Sequence, residues 1–343
     1  ALSAGLSDGP VVHSVQAAVP SLAPIAEVLG AESLIAAGIY EGEGLVGLLV
    51  AAGDESLRDA MRVAAEELGA ATTVAARAQS RAEELALRET QELQMMALLD
   101  EIEKRDKAFQ EELLQARRFQ QQLVALPPVR GAKVQAFYEP MGLIGGDLYA
   151  ISQHGTRIRI FIADATGHGI RASLTTMFIK SGYESFMSLD DPSLVLQELN
   201  DSIAATYKSS EMLFTASCVD IHTDTGEIAL ACAGHPPGCA IRGGEIVLLE
   251  GDGAPMGVRK GMKYDKVTTT LAKGDGLYLH TDGINEAHVE GGDYFGEERL
   301  YESIRRAHVA NEDVAAKLRA ELFDFVGPFL LSDDASLIGV RLE

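Results

Sequence analysis

Ile158-Arg-Ile-Phe-Ile-Ala-Asp164-Ala-Thr-Gly-His-Gly169 is the stretch on which the fold turns. Apolar, β-branched and aromatic residues run up to Asp164 as a buried strand would. Gly167 and Gly169 then allow a tight turn, and the pattern predicts a helix near Ile170 to Tyr183, its N-terminus facing the carboxylate. The motif recurs along the chain. Asp147 stands in Leu143-Ile-Gly-Gly-Asp-Leu-Tyr149, Asp282 closes Gly276-Leu-Tyr-Leu-His-Thr-Asp282, and Asp333 opens Asp333-Asp-Ala-Ser-Leu-Ile-Gly-Val340.

A single aspartate at a strand end commonly caps a turn or a helix start. Four of them, each with glycine or a second aspartate within three residues, have a different implication. Converging strand tips would gather several negative charges, an arrangement that is strongly unfavourable unless dications occupy it. Oxygen donors without His or Cys favour Mg²⁺ or Mn²⁺ over zinc.

Upstream of Gly131 the texture changes. Ala70 to Leu126 contains neither glycine nor proline and is rich in Ala, Glu, Leu, Gln and Arg, so it reads as one long helix that Pro127-Pro128 stops. Heptads counted from Leu85 put Leu85, Met95, Leu99, Ile102, Phe109, Leu113, Ala116 and Leu123 on a seam that Arg88, Glu92, Asp106 and Gln120 interrupt. Polar seam positions lower coiled-coil stability but fix register, and the expectation is pairing with a second copy of the chain. Further upstream, residues 33–40 and 45–52 read as two strands joined by Glu-Gly-Glu-Gly. The expected organisation is an N-terminal domain over 1–76, a coiled-coil helix over 77–126 and an α/β domain over 127–343.

Composition narrows the function classes. The chain has 343 residues with 51 acidic and 29 basic side chains, a formal net charge of −22, which argues against a nucleic-acid binder. Cys218, Cys232 and Cys239 form no C-x-x-C pair, so neither a disulfide framework nor a thiolate zinc site is expected, and a reducing cytoplasm fits. No apolar run is long enough to span a bilayer, so no membrane association is expected. The chain opens on Ala1 rather than Met, which suggests a truncated start. Two motifs are set aside. Gly42, Gly44 and Gly47 spell G-x-G-x-x-G, but a strand rather than a helix follows; Gly5-Leu-Ser-Asp-Gly9 spells a nucleophile elbow with no strand before it.

Gly145-Gly-Asp147-x-Tyr149, Asp164-Ala-Thr-Gly-His-Gly169, Ala233-Gly-His-Pro-Pro237, Thr281-Asp-Gly-Ile-Asn-Glu-Ala287 and Asp333-Asp-Ala-Ser336 follow one another over some 210 residues. In that order they resemble the bacterial serine/threonine phosphatases of the SpoIIE and RsbU type, a branch of the metal-dependent protein phosphatase 2C (PP2C) superfamily. The resemblance implies a β-sandwich flanked by helices and two Mn²⁺ or Mg²⁺ ions. Asp164 would bridge them, with the carbonyl of Ala165 beside it, while Asp282 and Asp333 would complete the shell and Asp147 would hold a metal directly or through its waters. Asp164 and Asp282 would carry the catalysis, with water activated by the metals as nucleophile. The implied substrate is a phosphorylated anti-sigma-factor antagonist, the implied control an upstream activator or sensor ligand. Strand, glycine turn, strand and amphipathic helix over the first 75 or so residues likewise resemble the C-terminal half of a GAF sensor domain. His168 is open to two roles, acid for the leaving group or stabiliser of its loop, with the second expected; His235 and His280 are expected to be structural. Ala150 stands where the family often has an acid, so one metal is expected to be held weakly; Arg171 stands where proline is frequent; and no arginine precedes Gly145 at the spacing of the eukaryotic relatives, so low activity without an input is expected. The competing expectation is a catalytically silent dimeric scaffold.

Overall fold

The computed structural model describes residues 13–16, 27–28, 33–41, 44–53, 55–167, 169–206, 212–289, 291–327 and 331–343. The chain divides into two compact units, Ala1–Arg105 and Asp106–Glu343.

In the first unit β1 (His13–Gln16), β2 (Ser33–Glu41) and β3 (Gly44–Ala52) form an antiparallel sheet in that order. Both strands expected from the sequence are present. Residues 42–43 of their turn and the Gly5–Gly9 motif lie outside the described residues. The helix α1 (Arg58–Leu123) follows, 66 residues without a break, about 100 Å at 1.5 Å per residue. Met61 and Ala65, one turn apart, pack with Ala37 of β2. Gly69 lies one turn further on, where a Cβ would stand 2.6 Å from the carbonyl oxygen of Tyr40. Glycine is what lets the helix approach the strand so closely.

The middle of α1 has few tertiary contacts and is laced with exposed i,i+4 pairs: Arg88 with Glu84, Lys104 with Asp100, Arg105 with Glu101. Each contributes a few tenths of a kcal/mol. The helix ends at Leu123, three residues short of the expected Leu126, because Pro127 restricts the residue before it and the chain straightens early. The heptad seam divides in two. Leu85, Met95, Leu99 and Ile102 are each more than half exposed, whereas Leu113, Ala116 and Leu123 are half-buried and Gln120 is buried. Gln120 was expected as a polar interruption between paired helices. It is instead turned into the second unit, where it bonds backbone that needs a partner.

The second unit is a sandwich of two five-stranded antiparallel sheets. One has the order β10-β9-β12-β13-β4, the other β11-β8-β7-β6-β5. The strands are β4 (Ala132–Glu139), β5 (Asp147–His154), β6 (Arg157–Ala165), β7 (Phe214–His222), β8 (Glu227–Ala233), β9 (Gly238–Arg242), β10 (Glu245–Leu249), β11 (Lys266–Thr270), β12 (Gly276–His280) and β13 (Ala335–Leu342). Helices α2 (Ile170–Phe186) and α3 (Pro192–Thr206) cover the second sheet; α4 (Gly296–Val309) and α5 (Val314–Val326) cover the first. The expected sandwich flanked by helices is the observed fold.

Period two explains how each strand serves two layers. In β12, Leu277 and Leu279 enter the core between the sheets, while Tyr278 between them enters the core under α4 and α5. Ile338 and Val340 alternate in the same way with Ala335 and Leu337 in β13. Strands buried on both faces read as near-continuous apolar runs. A buried ion pair lies in β6 and β7: Arg159 is 2% exposed and donates from Nε to Asp220 at 2.6 Å and from Nη1 to the carbonyls of Met187 and Leu189. Its guanidinium thereby ties the α2–α3 connection to the sheet.

Candidate metal centre

β5 and β6 pair antiparallel with Asp147 directly opposite Asp164, so two of the four expected carboxylates meet by register alone. Asp282 lies two residues past β12 and Asp333 two residues before β13, adjacent strands in the facing sheet. The mouth between the sheets thus collects all four. Ala165 ends β6 with its carbonyl oxygen facing Gly146, where a Cβ would stand 2.9 Å away. The first turn of α2 closes in from the other side, since the same Cβ would meet Ala172 at 2.9 Å. Gly167 and Gly169 have φ of 90° and 75°, the left-handed conformation the tight turn requires. His168 lies outside the described residues.

Asp147 is 1% exposed. Its Oδ2 accepts from the Thr281 hydroxyl at 2.7 Å. Its Oδ1 is buried with no partner of hydrogen-bond geometry. Burial and the neighbouring Asp164 hold this carboxyl well above the usual carboxylate range, against the pull of the Ser336 and Thr281 hydroxyls. Asp164 is pushed up to about 8, first by burial, then by the charges of Asp282 and Asp333, and by a side-chain hydrogen bond with Asp282. Asp164 and Asp282 are therefore close neighbours. Asp333 Oδ1 accepts from the amide of Asp334 at 2.8 Å.

Among the described residues, no three carboxylate, imidazole or thiolate groups converge as a ready-made ion shell. Asp147 and Asp164 meet as a cross-strand pair, and the charges of Asp282 and Asp333 bear on Asp164. The donor set nonetheless fits a hard dication. It consists of oxygens, it includes a buried orphan at Asp147 Oδ1, and its proton affinity is raised by the crowding that a cation would relieve.

Two residues that shape the site carried no clear sequence signal. Asp334, 3% exposed, accepts from the amide of Met141 at 2.7 Å and from that of Gly146. Gln120, 2% exposed, donates to the carbonyl of Gly145 at 2.6 Å and accepts from its amide at 3.2 Å. A doubled Asp at 333–334 was the one available hint of the first; a polar residue on an apolar seam was the hint of the second. His235 is buried, bonded to Thr215 at 2.9 Å, and pushed down to about 3 by burial and by His280. His280 is likewise pushed down to about 4 by burial. Both remain neutral core residues, as expected.

Comparison with known proteins places this geometry. The chain is 28% identical over 222 residues to the phosphoserine phosphatase RsbU of Bacillus subtilis, an alignment covering 63% of this chain and 65% of RsbU, so the chain spans a little less than two thirds of that relative. The SiaA-PP2C domain of Pseudomonas aeruginosa superposes with a TM-score of 0.61 at 23% identity, covering 69% of this chain and 98% of that domain. RsbX in complex with magnesium superposes with a TM-score of 0.50 at 17% identity, over 64% of this chain and 99% of RsbX. These structures share the PP2C fold. The Stage II sporulation protein E family, SpoIIE, matches residues 154–343, more than half of the chain, and the chain belongs to that family.

Proposed function

We propose that the chain is a metal-dependent protein serine/threonine phosphatase acting on a phosphorylated regulatory protein of the anti-sigma-factor-antagonist class. The observation that carries the reading is the cross-strand pairing of Asp147 with Asp164, which is pushed up to about 8 by burial and by the charges of Asp282 and Asp333. Asp147, Asp164, Asp282, Asp333 and the carbonyl of Ala165 would hold two Mn²⁺ or Mg²⁺ ions. Bound there, the ions supply the Lewis acidity that activates water and neutralises phosphoryl charge. The chain does the rest. Asp164 and Asp282, once ionised, provide acceptors for the nucleophile's proton. The N-terminal turn of α2, beside Gly146, offers amide dipoles to an anionic group. Resemblance in motif order and the phosphoserine-specific relative support a phosphoserine or phosphothreonine substrate.

Control is assigned to α1. Its exposed seam from Leu85 to Ile102 suits pairing with a second chain, and Gln120 at its far end bonds the loop that carries Asp147. The input is delivered from an N-terminal GAF-like sensor through the helix.

The test is Mn²⁺-dependent phosphate release from a phosphoserine protein, with Asp282→Asn alongside the wild type. Expected is turnover that EDTA abolishes and the variant lowers by at least about 100-fold. No metal-dependent release, even with an activating partner present, would favour the silent scaffold and overturn the proposal.

A further inference from the structure

Asp334 belongs to no proposed ligand set, yet it holds backbone on both sides of the site. Its two carboxylate oxygens bind the two ends of one loop: Oδ1 takes the amide of Met141 at 2.7 Å and Oδ2 the amide of Gly146. The loop between them leads directly into Asp147. Gly145 packs against the same carboxylate so closely that a Cβ there would stand 2.5 Å from its carbon. The backbone of Asp334 meets the third acidic segment, since a Cβ on Gly283 would fall 2.1 Å from the Asp334 carbonyl oxygen. The amide of Asp334 is itself bonded by Asp333 at 2.8 Å. One residue thus touches the segments bearing Asp147, Asp282 and Asp333.

From this we infer that Asp334 is a positioning residue, the joint that sets how far Asp147 stands from Asp282 and Asp333, so that dication uptake at the mouth of the sandwich depends on it although it is not a ligand. The inference rests on the metal-centre reading above. A carboxylate is required for a simple reason: both loop amides are donors, and each needs an acceptor. An asparagine would present one oxygen and one NH₂ group, leaving one amide facing another donor. Unlike loss of a ligand, loss of a joint moves backbone, which gives the inference a signature of its own.

In the full chain, Asp334→Asn should speed hydrogen exchange in the peptide spanning residues 141–147 by at least about tenfold and weaken Mn²⁺ binding, measured by electron paramagnetic resonance, by about 10- to 100-fold. Saturating Mn²⁺ should restore much of the lost phosphate release, whereas it should not rescue Asp164→Asn. Gly145→Ala is the second arm, because it displaces the loop from an intact Asp334. It should reproduce both changes, and it decides the question if Asp334→Asn fails to fold. Unchanged exchange in residues 141–147 would overturn the inference. So would weakened Mn²⁺ binding with exchange unaltered, which would make Asp334 a ligand. The exchange readout needs neither metal nor turnover. A wild-type chain that binds Mn²⁺ without releasing phosphate would therefore refute the proposed activity and leave the positioning role standing.

Discussion

Asp164→Asn should stabilise the metal-free protein above neutral pH while abolishing its response to metal. In the fold the Asp164 carboxyl is pushed from an ordinary value of 3.8 up to about 8. An acid with a raised folded-state pKa contributes stability that is fully present below the unfolded value and is lost as pH rises through the folded one. The window therefore runs from about pH 4 to about pH 8. Within it the loss approaches 1.4 kcal/mol per pH unit, which amounts to about 4 kcal/mol between pH 5 and pH 8. The assay is urea unfolding in EDTA at pH 5, 6.5 and 8, followed by near-ultraviolet circular dichroism. The chain has no tryptophan, and Tyr138, Tyr149, Tyr183, Tyr264, Tyr278 and Tyr301 report the sandwich rather than the long helix. Wild type should lose stability steadily across this range and Asp164→Asn much less. Added Mn²⁺ should remove the slope in wild type only. Equal slopes in the two proteins would refute the claim that crowded carboxylates dominate this site.

Three further outcomes follow from particular contacts. Gln120→Leu keeps the helix but orphans the amide and carbonyl of Gly145, about 1–3 kcal/mol for each group left buried; metal-dependent phosphate release should fall while the far-ultraviolet spectrum is unchanged. Arg159→Met leaves Asp220 buried without its cation and should cost about 3–5 kcal/mol, read as a lowered melting temperature. Leu99→Lys, on a residue 57% exposed, should weaken self-association in sedimentation equilibrium without lowering the melting temperature of the sandwich; an unchanged association constant would remove the seam from the dimer interface.

The strand-tip carboxylates were legible because two local rules locate them. Period two reveals the strands, and a charge where an apolar run stops must lie at an end. The pairing of Asp147 with Asp164 needs only antiparallel neighbours. Asp334 was not legible, because two adjacent identical residues differ only in which way the backbone turns them, and that is decided by Met141 and Gly146, nearly 190 residues away in sequence. Gln120 was misplaced for a related reason. A heptad pattern records that a position is inward-facing, and is silent on whether inward means a second helix or the chain's own domain. The helix end differed by three residues because Pro127 acts on its neighbours through sterics that composition does not capture.

The Thr281 hydroxyl has one proton and three neighbours, of which the Asp334 carbonyl oxygen at 3.5 Å is the most distant. It gives that proton to Asp147 Oδ2 and takes the amide of Ser336 on its oxygen at 2.9 Å. Asp147 Oδ2 therefore already accepts one hydrogen bond, whereas Oδ1, buried and without a partner of hydrogen-bond geometry, has both lone pairs open to a proton. That same atom is the one left open to a cation. Acid and metal become rivals for one carboxyl, so inhibition by low pH at this site takes the form of competition, relieved by more metal rather than by time or refolding.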